Sequence, residues 1–465
     1  MTAKCKKLAT DSQSWRAFAL SSSTLDSPNT EALRGFPTIA DEENERDMHS
    51  IQPKLTNNAR RGLLLLGLIT ASLSAPAYAE DSSLSLHGFG TLGIARSSSD
   101  QAEFVRDLSQ PQGVSNHWSG RIDSALGVQA NWQATPTLEL VGQAVSRYHY
   151  DRSRDPELMW AFAKWEPDAR ISLRAGRIGA DFMMLADSRL VNYAFLTVRP
   201  SADFFGALFL SHFDGADASL TLPLRNGLLR GKLFAGATHE KSSGIAGIWD
   251  TSGSQLNGVV VDYQTGPWQL RASAASIRFS SDINLAPLPE LLRAAGTSFG
   301  YPGALAAADR LRVKNTTSRY YSMGAVYDNG PLQVQGMLNR IEHQTGVFRD
   351  SHAGYLLAGY RLGTVTPFAG VSWWKTSASA GSTGLPESAP FAEINRAYAS
   401  SLAVSVADQK TYTLGARWDV RQDMAVKVQW DAIRGSAASR FPVANSKPDW
   451  NGRTNVLSLS LDFVF

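Results

Sequence analysis

Charged side chains recur within segments whose alternate positions are apolar, and they are the residues that could do chemistry in this sequence. A guanidinium stays charged, and beside a low-dielectric wall it attracts anions. On the face opposite the apolar one, basic residues outnumber acidic ones. The basic set is Arg121, Arg147, Arg174, Arg230, Lys232, Arg271, Arg417 and Lys427, and the acidic set is Asp123, Glu139, Asp217, Asp431 and Asp462. If this face lines a water-filled space, the pattern predicts a mild anion preference. The alternative is that the arginines only solvate that space or hold a loop through salt bridges.

Nucleophilic and metal chemistry are weakly represented. Ser211, His212 and Asp214 are close in sequence, but side chains so close on one strand do not readily form a catalytic triad. The histidines show no metal-ligand spacing, and the single cysteine, Cys5, precedes the predicted mature chain. We therefore expect no enzymatic activity, no cofactor and no metal.

Charge and hydropathy exclude two further classes. The 45 basic and 42 acidic residues give a net charge of +3 without a block of one sign, which argues against a nucleic-acid binder. The mean hydropathy of −0.19 is that of a soluble chain, and no apolar run of roughly 18 residues follows residue 80. A helical membrane protein is therefore excluded, whereas alternating strands would hide a membrane character in this average.

An export signal is predicted near the start of the chain. Lys54, Arg60 and Arg61 precede the apolar stretch 62–69, and the small-residue site Ala77 to Ala79 follows it. Cleavage after Ala79 would leave Glu80 as the new N-terminus. The apolar stretch is too short for the alternative, a membrane anchor. We interpret 1–47 as a disordered extension foreign to the native protein, 48–79 as the signal peptide and 80–465 as one domain.

Period-two alternation dominates after residue 80 and predicts strands with one apolar face. In the last segment Leu457, Leu459 and Leu461 share one face, and Ser458 and Ser460 lie on the other. Segments of about ten residues have the length that a tilted membrane strand requires. We therefore predict an all-β fold, a transmembrane antiparallel barrel of sixteen strands running from 84–95 to 454–465.

The connections between these segments are alternately short and long, as in membrane barrels. Short turns are predicted at 135–136, 167–168, 226–227, 266–267, 329–330, 363–364 and 421–422. Longer connections are predicted at 96–118, 151–155, 179–211, 241–254, 280–316, 344–350, 377–408 and 436–453. Helix-like stretches at 288–295 and 391–399 are interpreted as parts of loops.

Aromatic residues near many predicted strand ends fit interfacial girdles, with the core of a soluble β-sandwich as the alternative. They are Trp132, Tyr148, Tyr150, Trp165, Trp268, Tyr327, Tyr360, Trp373, Trp374 and Trp418. Lys164 breaks the alternation because it shares a face with Trp160 and Phe162. If that face meets lipid, Lys164 must extend its ammonium to the interface, unless a bulge shifts the register.

The sequence resembles the Gram-negative porins over 84–465. The resemblance is most specific in WAFAKWEP at 160–167, LRAGR at 173–177, VRP at 198–200 and FDG at 213–215. It implies a diffusion channel, and we take Arg121, Arg147, Arg174 and Arg177 as candidates for its lining. It also implies a homotrimer in contact with outer-membrane lipid and lipopolysaccharide.

In such porins the loop after the fifth strand folds inward and narrows the lumen, and this loop is 179–211 by our count. It offers Asp181, Asp187, Arg189, Arg199 and Asp203 as constriction residues, although the acidic, glycine-rich motif of general porins is not evident in it. The terminal Phe465 resembles the signal that the outer-membrane assembly machinery reads. It is equally explained as a last lipid-facing residue.

Other functions fit a barrel of this kind. A substrate-selective outer-membrane channel differs only in how tightly the lumen binds one solute. An adhesin or receptor, or an enzyme with its active site at the barrel rim, would not need an open lumen. A filled barrel should have more packed side chains at its inward positions.

Overall fold

The computed structural model describes residues 83–465 apart from 208–209, 245–246, 379–380, 404, 440–442 and 445. The extension 1–47, the signal peptide 48–79 and the cleavage site at Ala77, Ala79 and Glu80 lie outside the described residues.

Sixteen antiparallel strands form a closed barrel, which confirms the predicted fold class and strand number. We label these strands in chain order. They are β1 (Leu84–Ser97), β2 (Ala125–Thr135), β3 (Leu138–Arg147), β4 (Glu157–Asp168), β5 (Ile171–Gly179), β6 (His212–Leu224), β7 (Gly227–Ala237), β8 (Gln255–Thr265), β9 (Trp268–Arg278), β10 (Thr317–Asn329), β11 (Leu332–His343), β12 (Ser351–Tyr360), β13 (Val365–Thr376), β14 (Asp408–Arg421), β15 (Met424–Gly435) and β16 (Arg453–Val464). β1 pairs with β16, from Phe89 opposite Val464 to Ser97 opposite Val456. This pairing removes the open edge that a membrane would not tolerate.

Short turns and long loops lie at opposite ends of the barrel, as the sequence predicted. Gly266 and Gly330 have φ values of 50° and 58° in two of the short turns, and open space surrounds the position of a Cβ atom at each. Glycine adopts this left-handed conformation without steric cost, so these tight turns follow from local chemistry.

The long loops contain most of the remaining regular structure. The helices are α1 (Ala202–Phe205), α2 (Leu288–Ser298), α3 (Pro302–Arg310) and α4 (Phe391–Ala403), and a 3₁₀ turn spans Asn192–Ala194. Two short antiparallel pairs lie in the loops: Glu103–Phe104 pairs with the distant Val443–Ala444, and Lys241–Gly244 forms a hairpin with Gly247–Asp250. α2 and α4 confirm the two predicted helical stretches, whereas α3 was not predicted.

Outward side chains of the strands are apolar and exposed, as expected of a surface that meets lipid. Trp132, Trp165, Trp268 and Trp418 are each 44–50% exposed near short turns, where they form one aromatic girdle. Tyr148 and Trp374 were wrongly predicted to belong to a girdle. They are 5% and 6% exposed because Tyr148 lies in a loop connection and Trp374 points inward.

Within the described part of the chain, we find no helix that is both long and apolar enough to cross a membrane.

Candidate functional site

The connection between β5 and β6, residues 180–211, folds against the inward face of the barrel, as predicted. We call it the inward segment. Its Phe182 ring packs edge-on against Tyr320 of β10 at 4.7 Å between ring centroids, and Phe204 packs against Tyr355 of β12 at 5.3 Å. All four side chains are buried. The lumen therefore has an apolar core of its own, formed between the inward segment and the wall.

Arg199 joins the inward segment to the loop before β2 and to the strands β15 and β16. Its Nε and Nη2 donate to the Asp123 carboxylate at 2.8 and 2.6 Å. Its Nη1 donates to Asp431 of β15 at 3.1 Å, and Nη2 also donates to Ser458 of β16 at 2.6 Å. Arg199 is 2% exposed, so its loss would leave two buried carboxylates without this counter-charge. It acts as an anchor of the segment.

Two cations on the wall hold the main chain of the inward segment. The Lys427 ammonium on β15 donates to the carbonyl oxygens of Asn192 at 2.7 Å and Thr197 at 3.0 Å, and it lies 2.9 Å from the Asp462 carboxylate. Arg417 on β14 donates to two further carbonyl oxygens of the segment. Backbone carbonyl groups that are buried away from water need hydrogen-bond donors. The two cations supply these donors and so stabilise the buried position of the inward segment.

A second ionic cluster lies at the start of the inward segment. Asp181 is fully buried and pairs with Lys232 of β7 and Arg271 of β9. Arg271 also pairs with Asp262 of β8 at 2.6 Å. Burial and the nearby Asp181 carboxylate raise the pKa of Asp187 to about 7. Asp187 is thus a carboxyl group that changes charge near neutral pH.

Arg189 and Asp203 also lie inside the barrel, where each contacts a different set of residues. The Arg189 guanidinium donates to the Leu210 carbonyl at 2.8 Å and to the Ser211 hydroxyl at 2.6 Å. Asp203 accepts from the Ser372 hydroxyl of β13 at 2.6 Å and from the Gln409 amide of β14. Both side chains are held by hydrogen bonds and position the inward segment.

The expected basic lining is neutralised by pairing. Arg174 on β5 forms a bidentate contact with Asp217 of β6, with Nε 3.0 Å from Oδ1, and both are buried. Arg147 at the end of β3 lies 3.7 Å from Asp107 and 3.7 Å from Glu157. These carboxylates weaken any field that the arginines would exert on a solute.

Arg121 and Arg177 lie apart from the other residues that were predicted to line the lumen. Arg121 lies in the loop before β2, where its Nη1 donates to the Gly113 carbonyl at 3.2 Å. Arg177 pairs with Asp214, opposite to it in the β5–β6 ladder, on the face that carries Leu173 and Ala175. Since these apolar neighbours point outward, Arg177 is placed outside the lumen, three positions from Arg174 and on the opposite face.

The interpretation of Lys164 is also corrected. Lys164 faces Glu139 in the β3–β4 ladder, and the two side chains lie 3.6 Å apart. Trp160 and Phe162 share its face and are 4% exposed, and the Arg174 guanidinium lies 5.2 Å from the Phe162 ring. The whole face points inward, so Lys164 has no lipid to avoid.

The first long loop supplies lumen residues that the sequence reasoning missed. Arg106 donates to the Asn192 side chain at 2.9 Å, and its backbone N–H donates to Gln110 at 3.0 Å. Asp107 pairs with Arg147, as described above. Glu240, in the loop after β7, accepts from the backbone N–H of His212 at 2.7 Å. These residues lie outside the alternating segments, so periodicity gave no signal for them.

A cavity of about 40 Å³ remains between the inward segment and strands β11 to β15. It is lined by Phe195, Phe205, Tyr355, Arg199, Asp431 and Thr413, among others. This volume holds only a few water molecules, since one water needs roughly 10–15 Å³. A larger solute would need side chains or the segment itself to move.

The serine, histidine and aspartate at 211–214 do not form a chain of contacts. The His212 ring lies 3.1 Å from Glu240, while Asp214 pairs with Arg177 and with His239 at 3.0 Å. Its carboxylate is therefore engaged elsewhere and does not orient His212. Among the residues that the structure describes, no group of three or more potential ligands is placed to hold a metal ion.

No protein-family model matches the sequence, and the comparison with curated proteins found no match. Solved structures resemble the fold at low identity. The OmpF structure from Salmonella typhi is 11% identical, with a TM-score of 0.50, and the match covers 82% of this chain and 97% of that one. The anion-selective porin from Comamonas acidovorans is 13% identical over 83% and 100%, and the outer membrane channel DcaP of Acinetobacter baumannii is 11% identical over 82% and 97%, both with a TM-score of 0.47.

The OmpF structure, with its TM-score of 0.50, shares the barrel fold with this chain. A closed barrel with an apolar outer face, long loops at one end and short turns at the other is built for a bacterial outer membrane. The chain is therefore an outer-membrane β-barrel with the sixteen-strand fold of the porins.

Proposed function

We propose that the protein is a channel for passive diffusion of small polar or ionic solutes across the outer membrane, and not an enzyme. The observation that carries this proposal is the inward segment, tied across the lumen by Arg199 to Asp123 and Asp431 and by Asp181 to Lys232 and Arg271. A loop held inside a polar barrel narrows the passage, and we propose that small solutes pass beside it.

The proposed constriction contains the charged groups of the inward segment and the adjoining wall. Its members are Arg147, Arg174, Asp181, Asp187, Arg189, Arg199 and Asp203. Because most of these charges are paired, we propose at most a mild anion preference. Size exclusion by the segment then contributes more to selection than net charge does.

The 40 Å³ cavity favours a second candidate, a channel selective for one class of solute. Three aromatic rings, Phe195, Phe205 and Tyr355, line it together with the Arg199–Asp431 pair. Apolar walls with a few fixed polar groups are typical of small-molecule sites. A solute with both an aromatic or aliphatic part and a polar group would match these walls, once the inward segment or its side chains move to admit it.

Processing and assembly of the chain are also proposals. We propose that the signal peptide 48–79 is cleaved after Ala79 and that 1–47 does not belong to the mature protein. The barrel would assemble as a homotrimer through the outer-membrane assembly machinery. Phe465, which follows β16 and is 44% exposed, would serve as its recognition signal.

Conductance of the purified mature protein in planar bilayers tests the channel. Stepwise conductance with a small reversal potential in a salt gradient is expected. A folded barrel without conductance would refute the diffusion channel and favour a binding protein. Saturation of the current by one solute class, with little conduction of simple salt, would favour the selective candidate.

The variant Arg174→Ala tests whether the Arg174–Asp217 pair lies on the path of the ions. Removal of the guanidinium leaves Asp217 buried and unpaired, so the reversal potential should shift towards cations. The double variant Arg174→Ala with Asp217→Ala removes both charges and should restore the wild-type value. An unchanged potential in the single variant would place this pair outside the ion path.

A further inference from the structure

The inward face of four neighbouring strands, β10 to β13, is uncharged along most of its length in the part of the chain that the structure describes. Tyr320, Met337, Tyr355 and Phe368 on these strands are only 2–6% exposed, and side chains two positions apart share their face. The inward residues are hydroxyl, amide, glycine, apolar and aromatic residues at alternate positions of 318–326, 333–341, 351–359 and 366–374. We call this face the neutral arc.

The inward segment is held differently by the neutral arc and by the rest of the wall. On β7 and β9 and on β14 to β16 it is fixed by ion pairs and by charged hydrogen bonds, as described above. Against the neutral arc it makes mainly ring contacts, such as Phe205 with Tyr355 at 5.9 Å between ring centroids, and Asp203 accepts from the Ser372 hydroxyl. Ring contacts are less directional than ion pairs, so the segment is displaced most easily from the neutral arc.

The cavity of about 40 Å³ lies on this side of the inward segment. Gln335, Tyr355 and Ser372 line it from β11, β12 and β13, and Phe195 and Phe205 line it from the segment. One water needs roughly 10–15 Å³ in the same measure, so the cavity holds about three waters, which is close to the size of a three-carbon polyol. Space for a small solute thus exists where the segment is held least firmly.

The charges at the edge of this cavity are already neutralised. Arg199 is bonded to two carboxylates, as described above. One of them, Asp431, also accepts from the Thr413 hydroxyl at 2.7 Å and from the Gln429 amide at 2.9 Å. A charged solute that left water here would find no unpaired counter-charge among the described residues that line the cavity. These surroundings therefore favour a neutral solute.

Gln335 on β11 offers this cavity an uncommitted hydrogen-bond donor. The side chain is half-buried, and its Oε1 accepts from the Tyr355 hydroxyl at 3.3 Å. Its Nε2 has no hydrogen-bond partner within the residues that the structure describes. An alcohol hydroxyl can accept from Nε2, and the C–H groups beside it can pack on the rings of Phe205 and Tyr355. A short carbon chain with several hydroxyl groups matches both features.

We propose that solutes cross the lumen between the inward segment and the neutral arc, and that this route takes small neutral polyols, which Gln335 binds through its amide nitrogen. This proposal rests on the channel proposed above and names its solute class. Ions that follow the same route meet a wall that favours neither sign, in line with the mild ion preference proposed for the channel.

Swelling of proteoliposomes tests the solute class. Glycerol is compared with potassium glycerate, which has the same carbon skeleton and one negative charge. A potassium ionophore is present, and the rates of protein-free vesicles are subtracted. Glycerol should enter on the order of tenfold faster, because the carboxylate gives up water without gaining a counter-charge. Entry of glycerate as fast as that of glycerol would overturn the proposal.

Gln335→Leu tests the binding residue in the same assay. It should slow glycerol about fivefold, the effect of one hydrogen bond, and leave the rate of glycerate unchanged. The matched control is Gln269→Leu on β9, which lies in the same ladder row as Gln335, with Val326 between them, but on the side of Arg271. It should leave both rates unchanged. Equal slowing of glycerol by the two variants would overturn the proposal.

Charges introduced at the same two positions locate the route. Gln335→Glu should lower the anion-to-cation permeability ratio and Gln335→Lys should raise it, each on the order of threefold, because a charge a few ångströms from a passing ion acts on it even in water. Gln269→Glu and Gln269→Lys should change the ratio much less, since Asp181 and Phe182 of the inward segment pack against β9 and β10. Larger changes at position 269 than at position 335 would place the route elsewhere and overturn the proposal.

Folding and channel formation are checked independently, with the heat-dependent electrophoretic mobility of a folded barrel as the measure of folding. If Gln335→Leu does not fold, Tyr355→Phe replaces it, because this variant removes only the hydroxyl that holds Gln335. It should slow glycerol entry without changing salt conductance, and an unchanged rate would overturn the proposal. Failure of the channel itself would appear as the absence of both conductance and solute entry in the wild type. Normal conductance with equal entry of glycerol and glycerate would instead refute the solute class alone.

Discussion

The inward and outward faces of β14, β15 and β16 carry similar numbers of cations. The inward cations are paired with carboxylates, whereas the outward cations lie beside one another. On the inward face Lys427 lies 2.9 Å from Asp462, and Arg417 lies 2.8 Å from Asp419. On the outward face Lys410 and Arg434 are opposed to each other. The inward charges meet partners from the wall and the inward segment, whereas the outward charges face the membrane.

This difference shows how the fold uses charge. Inside the barrel, a charge without a partner would be costly because little water reaches it, so the pairs fix the inward segment in one position. At the outer boundary the cost is small because water and headgroups are available. Changes to the inward charges should therefore have large effects, and changes to the outward charges small ones.

The largest effect is expected from Arg199→Ala. It leaves Asp123 and Asp431 buried without their counter-charge, which should cost about 3–5 kcal/mol of stability. The inward segment should also loosen around position 199, so the single-channel conductance should rise. Urea unfolding monitored by tryptophan fluorescence and planar-bilayer recording measure the two effects.

Arg177→Ala is the matched control for Arg199→Ala. Arg177 also forms a bidentate pair, with Asp214 at 2.8 and 2.9 Å, but its side chain is 26% exposed. Its loss should cost at most about 1 kcal/mol and leave conductance unchanged. Equal losses in the two variants would contradict the distinction between the faces.

Lys427→Met should have the next largest effect. It removes the donors to the Asn192 and Thr197 carbonyls and leaves Asp462 with only its hydrogen bonds to Thr91 and Ser460. We expect a loss of about 2–4 kcal/mol, together with noisier channel currents from a looser segment. Adding Asp462→Asn should recover part of the stability. A double variant less stable than Lys427→Met would mean that the carboxylate does not carry the penalty.

A pH dependence is expected from Asp187. Burial and Asp181 raise its pKa to about 7, with Lys232 and Arg271 partly opposing the shift. The folded state thus keeps a proton that the unfolded chain releases near the ordinary pKa of 3.8. The stabilisation is fully present below about pH 4 and is lost as the pH rises to about 7.

Melting temperatures between pH 4 and 8 measure this dependence. Relative to Asp187→Asn, the wild type should lose stability over the interval, because only the wild type releases the Asp187 proton when it unfolds. Glu240 acts in the same direction, because burial and Glu157 raise its pKa to about 7, so Glu240→Gln should produce a second difference of the same sign. A difference between the wild type and Asp187→Asn that does not change with pH would contradict the raised pKa of Asp187.

The barrel was predictable because its signals are local. Period-two alternation and turn residues act over a few positions, so the sixteen strands, the short turns and the long loops could be predicted from the sequence. α3 was missed, although Pro302 at its start and the alanines at 304, 306, 307 and 308 favour a helix.

The site was less predictable because its contacts are distant in sequence. Arg199 and Asp431 are 232 positions apart, and no local pattern joins them. The assumption that apolar faces meet lipid fails at Trp160 and Phe162, because the inward segment supplies apolar partners inside the barrel. Arg177 was recoverable, since alternation alone places it opposite to Arg174.

The smallest effect, and the most direct test of the outward face, is expected from Lys410→Gln in lipid-free detergent. Within the described residues Lys410 makes no ion pair, and it lies directly opposite Arg434, so removing its charge should raise stability by about 0.2–1 kcal/mol. Lys375→Gln, on the neighbouring strand, removes a lysine that lies opposite Asp408 and should lower stability slightly. Two lysines on one rim would then respond with opposite signs in urea unfolding. A Lys410→Gln variant that is less stable than the wild type would show that Lys410 and Arg434 do not repel one another measurably.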